Sequence, residues 1–361
     1  MSSPQDSYVG PVFDTFDVDL VIKVLKHTVF SPFFIGLIPT LFIFQGRKLD
    51  SSEVVVTSVW LALISTFWSV QWISLLYRNQ GSLVFRPPSL DWGEQIVLIT
   101  GGSSGIGELI ANTLAVRNVC VVVLDVKPML TENYNITYYK CDVSKWDEVE
   151  AVSKKVVEEI GHPTIVINNA GVVQGKLLLD LEPKEVEQTF GVNTISHFWT
   201  LKAFLPEMIK QKSGHIVTMS SLLGMVGVAQ TADYGASKAA LVSLHETLRY
   251  ELDSRYKAYG VRTTLVCPGH VLTPMFATLN LGTNWIRKFL MPALPPHDVA
   301  KAVIAALDSQ FSQTIYLPFF ANLAPYLPLL PSFARDFIQW ASGADQAMLT
   351  FKKPSGGHKQ A

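Results

Sequence analysis

Residues 95–107 read QIVLITGGSSGIG. Gln95 to Thr100 is a short apolar run rich in β-branched residues, the composition of a buried strand. Gly101, Gly102, Gly105 and Gly107 punctuate the next seven positions, and an amphipathic pattern then runs to about Arg117. A strand, a glycine turn and a helix in this order aim backbone N–H groups and the helix N-terminus at one point, which favours phosphate. Such a turn is a weak signal alone, so its surroundings decide.

Outward from it, apolar runs and helical stretches alternate. Residues 119–124 read as a second strand ending at Asp125, and 136–140 as a third ending near Asp142. A helix over 145–160 leads to a fourth strand, 164–167, which runs into Asn168-Asn169-Ala170-Gly171. A helical region over 183–210 precedes a fifth strand ending at Met219. A helix over 234–256, a strand over 262–267, a helix over 298–308 and a strand over 314–317 follow. This alternation predicts an α/β fold: a doubly wound parallel sheet of about seven strands.

Two places carry chemistry. Asp125 stands eighteen residues after Gly107, where a carboxylate accepts hydrogen bonds from an adenosine ribose and repels a 2′-phosphate. With Ser103 and Ser104 in the loop rather than an arginine, NAD is the preferred cofactor and NADP a possible one. Tyr234 and Lys238 are four apart on a helix and share a face. A lysine there is expected to lower the phenol pKa from about 10, which makes Tyr234 a candidate general acid/base. Ser221, thirteen residues earlier, stands just past the end of the fifth strand. No residue pattern suggests a metal.

Thr100-Gly101-x-x-x-Gly105-x-Gly107, Asn168-Asn169-Ala170-Gly171, Ser221, Tyr234-x-x-x-Lys238 and Pro268-Gly269-x-x-x-Thr273 stand in the order and spacing of the short-chain dehydrogenase/reductases, which residues 93–318 resemble. The apolar N-terminus, Gly214 to Val217 and an apolar C-terminal tail resemble the membrane-associated retinol and 17β-hydroxysteroid dehydrogenase branch. The resemblance implies a Rossmann-type sheet with Tyr234 as proton donor and acceptor. It implies that Lys238 binds the nicotinamide ribose, that Ser221 rather than Ser220 holds the substrate oxygen, and that Asn193 holds a relay water. Thr100, Gly101, Ser103, Ser104, Gly105, Ile106, Gly107, Asp125, Asp142, Val143, Asn169, Ala170, Gly171, Tyr234, Lys238, Pro268, Gly269, Val271 and Thr273 would line the cofactor cleft. His270 lies in that last turn and receives no role beyond a partly exposed loop position. A homodimer through residues 183–210 and 234–256 is a further implication.

The flanks point to a membrane. Charged residues are 16% of the 361 and the net charge is -1, so nothing suggests a nucleic-acid surface. Residues 54–77 contain no Asp, Glu, Lys or Arg and carry Trp60, Trp68, Trp72 and Tyr77, as a transmembrane helix with interfacial aromatics would. Residues 29–44 are shorter, hold Pro32 and Pro39, and fit a short span, a re-entrant segment or an interfacial helix. Lys23, Lys26, Arg78 and Arg86 flank the pair on one side, which predicts a cytosolic catalytic domain on the endoplasmic reticulum or a lipid droplet. Cys120, Cys141 and Cys267 are scattered and read as free thiols of a reducing compartment. The sequon at Asn135 is expected to stay unmodified.

The expected organisation is a polar tail over 1–28, anchoring segments over 29–78, a linker over 79–92, the catalytic domain over 93–318, an apolar extension over 319–349 and a disordered tail over 350–361. That extension, and the Met- and Leu-rich segments 222–229 and 275–292, suit a lipophilic substrate such as a retinoid, steroid or long-chain alcohol. The rival readings are an NADPH-dependent carbonyl reductase and a catalytically idle membrane or lipid-droplet scaffold.

Overall fold

The computed structural model describes residues 16–80, 89–131, 133–279 and 284–351. The first part of the expected polar tail, the centre of the linker and the last ten residues lie outside the described residues. The chain divides into two compact units, one holding residues 1–86 and 285–292 and the other the remainder.

In the first unit, α1 (Val18–His27), α2 (Pro32–Phe44) and α3 (Ser52–Arg78) follow one another. The α1 segment was expected to be tail. It is helical because the Asp17 carboxylate caps it, accepting from Leu20 N at 3.0 Å, while Lys26 and His27 complement the dipole at its far end. The α1–α2 pair is bent by 51° at its break, and α2 packs along α3. Among the described residues α3 is the one helix long and apolar enough by itself to cross a membrane, and most of it is exposed. Two of its tryptophans act locally, since Trp60 Nε1 donates to Val29 O at 3.2 Å and Trp68 Nε1 to Phe30 O at 2.7 Å. They satisfy the carbonyls that the break between α1 and α2 leaves open.

The second unit is a parallel sheet with the strand order β3-β2-β1-β4-β5-β6-β7. Its strands are β1 (Ile96–Thr100), β2 (Cys120–Asp125), β3 (Ile136–Lys140), β4 (Ile165–Asn168), β5 (Gly214–Met219), β6 (Val261–Pro268) and β7 (Gln313–Leu317). The helices are α4 (Gly105–Val116), α5 (Trp146–Glu159), α6 (Pro183–Phe190), α7 (Ser196–Gln211), α8 (Ala232–Ser254), then α9 (Trp285–Leu290), which belongs to the first unit, α10 (Pro296–Ser309), α11 (Ser332–Ser342) and α12 (Ala344–Met348). Part of the segment expected to face substrate, 285–292, therefore groups with the N-terminal helices instead.

Alternate residues of each strand feed two cores. Val97 and Ile99 join α4 and α10 through Ile110, Leu114, Val303 and Leu307; Leu98 joins α5, α7 and α8 through Val149, Phe204 and Leu252. Burial on both faces explains why the strands read as continuous apolar runs. The strand order reverses between β1 and β4, which opens a crevice at their carboxyl ends, and the candidate residues gather there.

The Asn135 amide, at the start of β3, is committed to Ala115 O at 3.0 Å, so in the folded domain this sequon says little about compartment.

Candidate active site

The glycine turn is held shut by its neighbours. Gly101 has φ +66°, and a Cβ there would come within 2.7 Å of Ala170 Cα. At Gly107 a Cβ would strike the Gly101 carbonyl oxygen, so only glycine lets α4 start this close to β1. Thr100 Oγ1 accepts from Asn169 N at 3.0 Å and Ala170 N at 3.1 Å, and Asn169 Nδ2 donates back to Thr100 O and Gly101 O. These bonds clamp the ends of β1 and β4 at the switch point. Gly105, at φ +61°, opens α4; a Cβ there would stand in ordinary van der Waals contact with Thr273, at 3.9 Å, and Pro274. The glycine turn and the N-terminus of α4 together fit a pyrophosphate, since glycines let the backbone approach it closely.

Asp125 ends β2 as expected, but its carboxylate also builds the loop. Its Oδ2 accepts from Ser103 N and its Oδ1 from Lys127 N, both at 3.0 Å, while Ser103 Oγ donates to Lys127 O at 2.8 Å. Each carboxylate oxygen keeps a free lone pair for a ribose hydroxyl. Asp142 is likewise a local cap, accepting from Ser144 N and Ser144 Oγ, with Val143 buried beside it in the core. Ile106 packs into the opposite core. Across the crevice, Gly269 N donates to Leu317 O, and the turn after β6 closes through Leu272 N to Leu294 O and a bridge between Val271 and Leu294.

Asn193 was expected within an unbroken helix. It sits in a π-turn, Gly191–Ile195, between α6 and α7, and is fully buried. A π-turn widens the helix and is frequent at functional sites. Its side chain is committed: Oδ1 accepts from Val172 N at 2.8 Å, and Nδ2 donates to Val172 O at 2.9 Å and Ser237 Oγ at 3.0 Å. It ties the turn after β4 to α8, and Gly171 lies against both Asn193 Oδ1 and Lys238 Nζ.

Tyr234, Lys238 and Ser221 come together. The fold separates the two serines: Ser220 Oγ donates to Lys238 O at 2.9 Å, whereas Ser221 Oγ accepts from Leu223 N at 3.2 Å, lies 3.5 Å from Pro268 O and stands near enough to the Tyr234 phenol to favour its phenolate. Lys238 Nζ donates to Met219 O at 2.8 Å and stands 5.7 Å from the Tyr234 ring centre. Thr189 Oγ1 donates to Asp233 Oδ2 at 2.7 Å and so secures the first turn of α8. The expected lowering of the phenol pKa is absent. Burial pushes Tyr234 up to about 12, only partly opposed by the nearby Ser221 hydroxyl. Burial also brings Lys238 down to about 8, and holds neutral His197 near 3 with help from the Lys238 charge. Desolvation outweighs the lysine because the amine is as dry as the phenol.

The cover over Tyr234 comes from distant parts of the chain. Tyr234 clusters with Val173, Met348 and Phe351, with Leu223, Val228, Met275, Phe276 and Leu279 packed around them. Phe276 meets Tyr234 edge-on at 6.2 Å and Phe351 at 6.2 Å. Gly175 has φ +69°, and a Cβ there would occupy the space of the Phe351 ring. Asp345 Oδ1 accepts from Ala229 N at 2.8 Å and pins α12 to the loop after β5. Thus Phe351, expected to be disordered tail, is buried, because Gly175 makes room for its ring. Phe351 and His197 escaped the sequence reading, and only His197, four residues after Asn193, carried a local signal; Met348 lies in the extension expected to suit substrate, and His270 is partly exposed as expected, with both ring nitrogens buried.

A family model described as short chain dehydrogenase matches residues 95–284. An uncharacterized oxidoreductase of Saccharomyces cerevisiae is 34% identical over 276 residues, covering 74% of this chain and 88% of its own. Human retinol dehydrogenase 10 is 34% identical over 301 residues, covering 74% of this chain and 87% of its own. Among solved structures, 4-hydroxyisoleucine dehydrogenase complexed with NADH superposes with a TM-score of 0.52 at 21% identity, over 62% of this chain and 96% of that one. Aldohexose dehydrogenase of Thermoplasma acidophilum does so with 0.54 at 24% identity, over 64% and 94%. These likenesses carry the fold.

Proposed function

The chain belongs to the short-chain dehydrogenase family and is an NAD(P)-dependent oxidoreductase of alcohols and carbonyls; on that premise we propose that it acts on a lipophilic substrate at a membrane, with NAD as preferred cofactor. One observation carries the substrate class: the Tyr234 phenol, beside Ser221, is roofed by apolar side chains including Phe276, Met348 and Phe351.

The glycine cradle and Asp125 would hold the dinucleotide, which supplies the hydride exchange. Ser221 and Tyr234 orient the substrate oxygen between their hydroxyls. Tyr234 gives its proton to that oxygen in reduction and takes one from it in oxidation. Its raised pKa keeps the phenol protonated at neutral pH, and the Lys238 ammonium one turn away favours the phenolate whenever the proton leaves. Asn193 positions α8 and the turn after β4, and the apolar cover excludes water.

The likeness to retinol dehydrogenase 10 places retinoids first in a test panel, beside steroids and long-chain lipid alcohols. The test is a screen of these alcohols and their ketones with both cofactors, wild type against Tyr234→Phe. Turnover should fall by about 10²–10⁴ while cofactor binding persists. Equal turnover by the variant, or none by the wild type, would remove the reading.

Helix α3 supports anchoring, and we place the catalytic unit on the cytosolic face of the endoplasmic reticulum or a lipid droplet. Protease digestion of intact microsomes checks it, since a protected catalytic unit reverses the orientation. A homodimer through α6, α7 and α8 accords with the exposed Phe198 and Tyr250.

A further inference from the structure

His270 has no role legible in the sequence, yet the fold buries both nitrogens of its imidazole. Neither has a hydrogen-bond partner among the described residues. The Phe276 backbone lies near enough to pull the ring's pKa up slightly without meeting hydrogen-bond geometry, and burial, the larger influence, pulls it down. The fold treats a plainly structural histidine differently: His215, buried in β5, pairs Nε2 with Thr264 Oγ1 at 2.8 Å. Buried polar atoms are nearly always paired, so an imidazole orphaned at both nitrogens needs a reason.

Its position supplies one. His270 follows Pro268 by two residues, and the Pro268 carbonyl is 3.5 Å from Ser221 Oγ. Its ring meets Phe276 edge-on at 6.3 Å, and Phe276 meets Tyr234 in the same way. His270 is therefore one aromatic ring away from the phenol, at the margin of the apolar cluster over it. The hydrophobic side chains of that cluster are Val, Leu, Met and Phe beside Tyr234, so the imidazole adds a polar group to an apolar surround. A neutral imidazole offers one donor and one acceptor, and so can meet either a hydroxyl or a carbonyl.

We propose that His270 is a second substrate anchor, hydrogen-bonding an oxygen other than the one that reacts. This rests on the function proposed above and narrows it. The substrate class becomes lipophilic alcohols or ketones with a second hydroxyl or carbonyl a few bonds from the reacting carbon, rather than simple fatty alcohols.

His270→Phe keeps a ring and removes both polar atoms; His270→Gln keeps a donor and an acceptor. Each would be assayed in the full-length protein with a long-chain secondary alcohol and with the same chain carrying a second hydroxyl. In His270→Phe the preference for the two-oxygen substrate should fall about 10- to 100-fold, mainly in KM, with the one-oxygen substrate little changed and His270→Gln partly restoring the preference. Without ligand, His270→Phe should melt above the wild type, because an unpaired buried group is gone. The two-oxygen compound should raise the melting temperature of the wild type more than that of the variant.

Equal losses on both substrates, a loss confined to cofactor KM, or a lower melting temperature for His270→Phe would overturn the anchor. A wild type that turns over neither compound sinks the proposed function instead, and the melting comparison still judges His270.

Discussion

Replacing Asp125 with Asn removes one negative charge from the end of β2 and preserves the side chain's shape. The carboxylate is held by the N–H groups of Ser103 and Lys127, so its place beside the glycine loop is set before any cofactor arrives. Two unit charges 4 Å apart interact by about 4 kcal/mol at an effective dielectric of 20. Asp125 is only half-buried and salt screens it, so about 2 kcal/mol is a fair share, or about 30-fold in a rate ratio. The amide keeps one acceptor where the carboxylate had two, so one of the two loop bonds is lost and both cofactors bind less well. That loss cancels in the ratio of kcat/KM for NAD over NADP. The wild type should favour NAD, and Asp125→Asn should lower that ratio about 30-fold, measured by steady-state kinetics with a saturating alcohol. A wild type that prefers NADP, or a ratio that moves less than about threefold, refutes the electrostatic argument and leaves Asp125 as a loop cap.

Burial lowers Lys238 to about 8 from 10.5. Between those values the unfolded chain holds a proton that the folded one lacks, so this contribution to stability rises with pH across the window and is lost as pH falls to 8. The wild-type minus Lys238→Met difference in unfolding free energy should change by about 3 kcal/mol from pH 8 to 10.5, read by denaturant melts at each pH; a flat difference would show the amine is not desolvated. Phe351→Ala should open the cover over Tyr234, raise KM for a lipophilic alcohol about tenfold or more and lower the melting temperature, since a buried aromatic is removed. Gly175→Ala should act the same way by evicting the ring, and the double variant should be no worse than either single one; additive losses would mean the two positions act separately.

The glycine turn, the seven strands and the Tyr234–Lys238 pair were legible because each is a local pattern. Apolar runs and helical spacing depend on neighbours a few residues apart. The choice of Ser221 over Ser220 rested on the family resemblance; the structure sets the two hydroxyls apart, Ser220 Oγ turned to Lys238 O and Ser221 Oγ to Leu223 N and Pro268 O. The phenol's pKa was misjudged in direction, since charge proximity is visible in a motif while desolvation depends on everything packed around it. Asn193 was named as a candidate, yet its π-turn and its clamp on Val172 were not foreseen, because no period in the sequence marks a helix widening.

By itself, then, the sequence determined the strand-and-helix alternation and the doubly wound class, and it named candidate places for a dinucleotide and a proton donor. Only the tertiary structure decided what surrounds them. Phe351 reaches Gly175, Asp345 reaches Ala229 and Trp68 reaches Phe30 across intervals that no local pattern spans. His270 shows the same limit: its identity was readable, but being buried and unpaired is a property of packing, settled only when distant segments close around it.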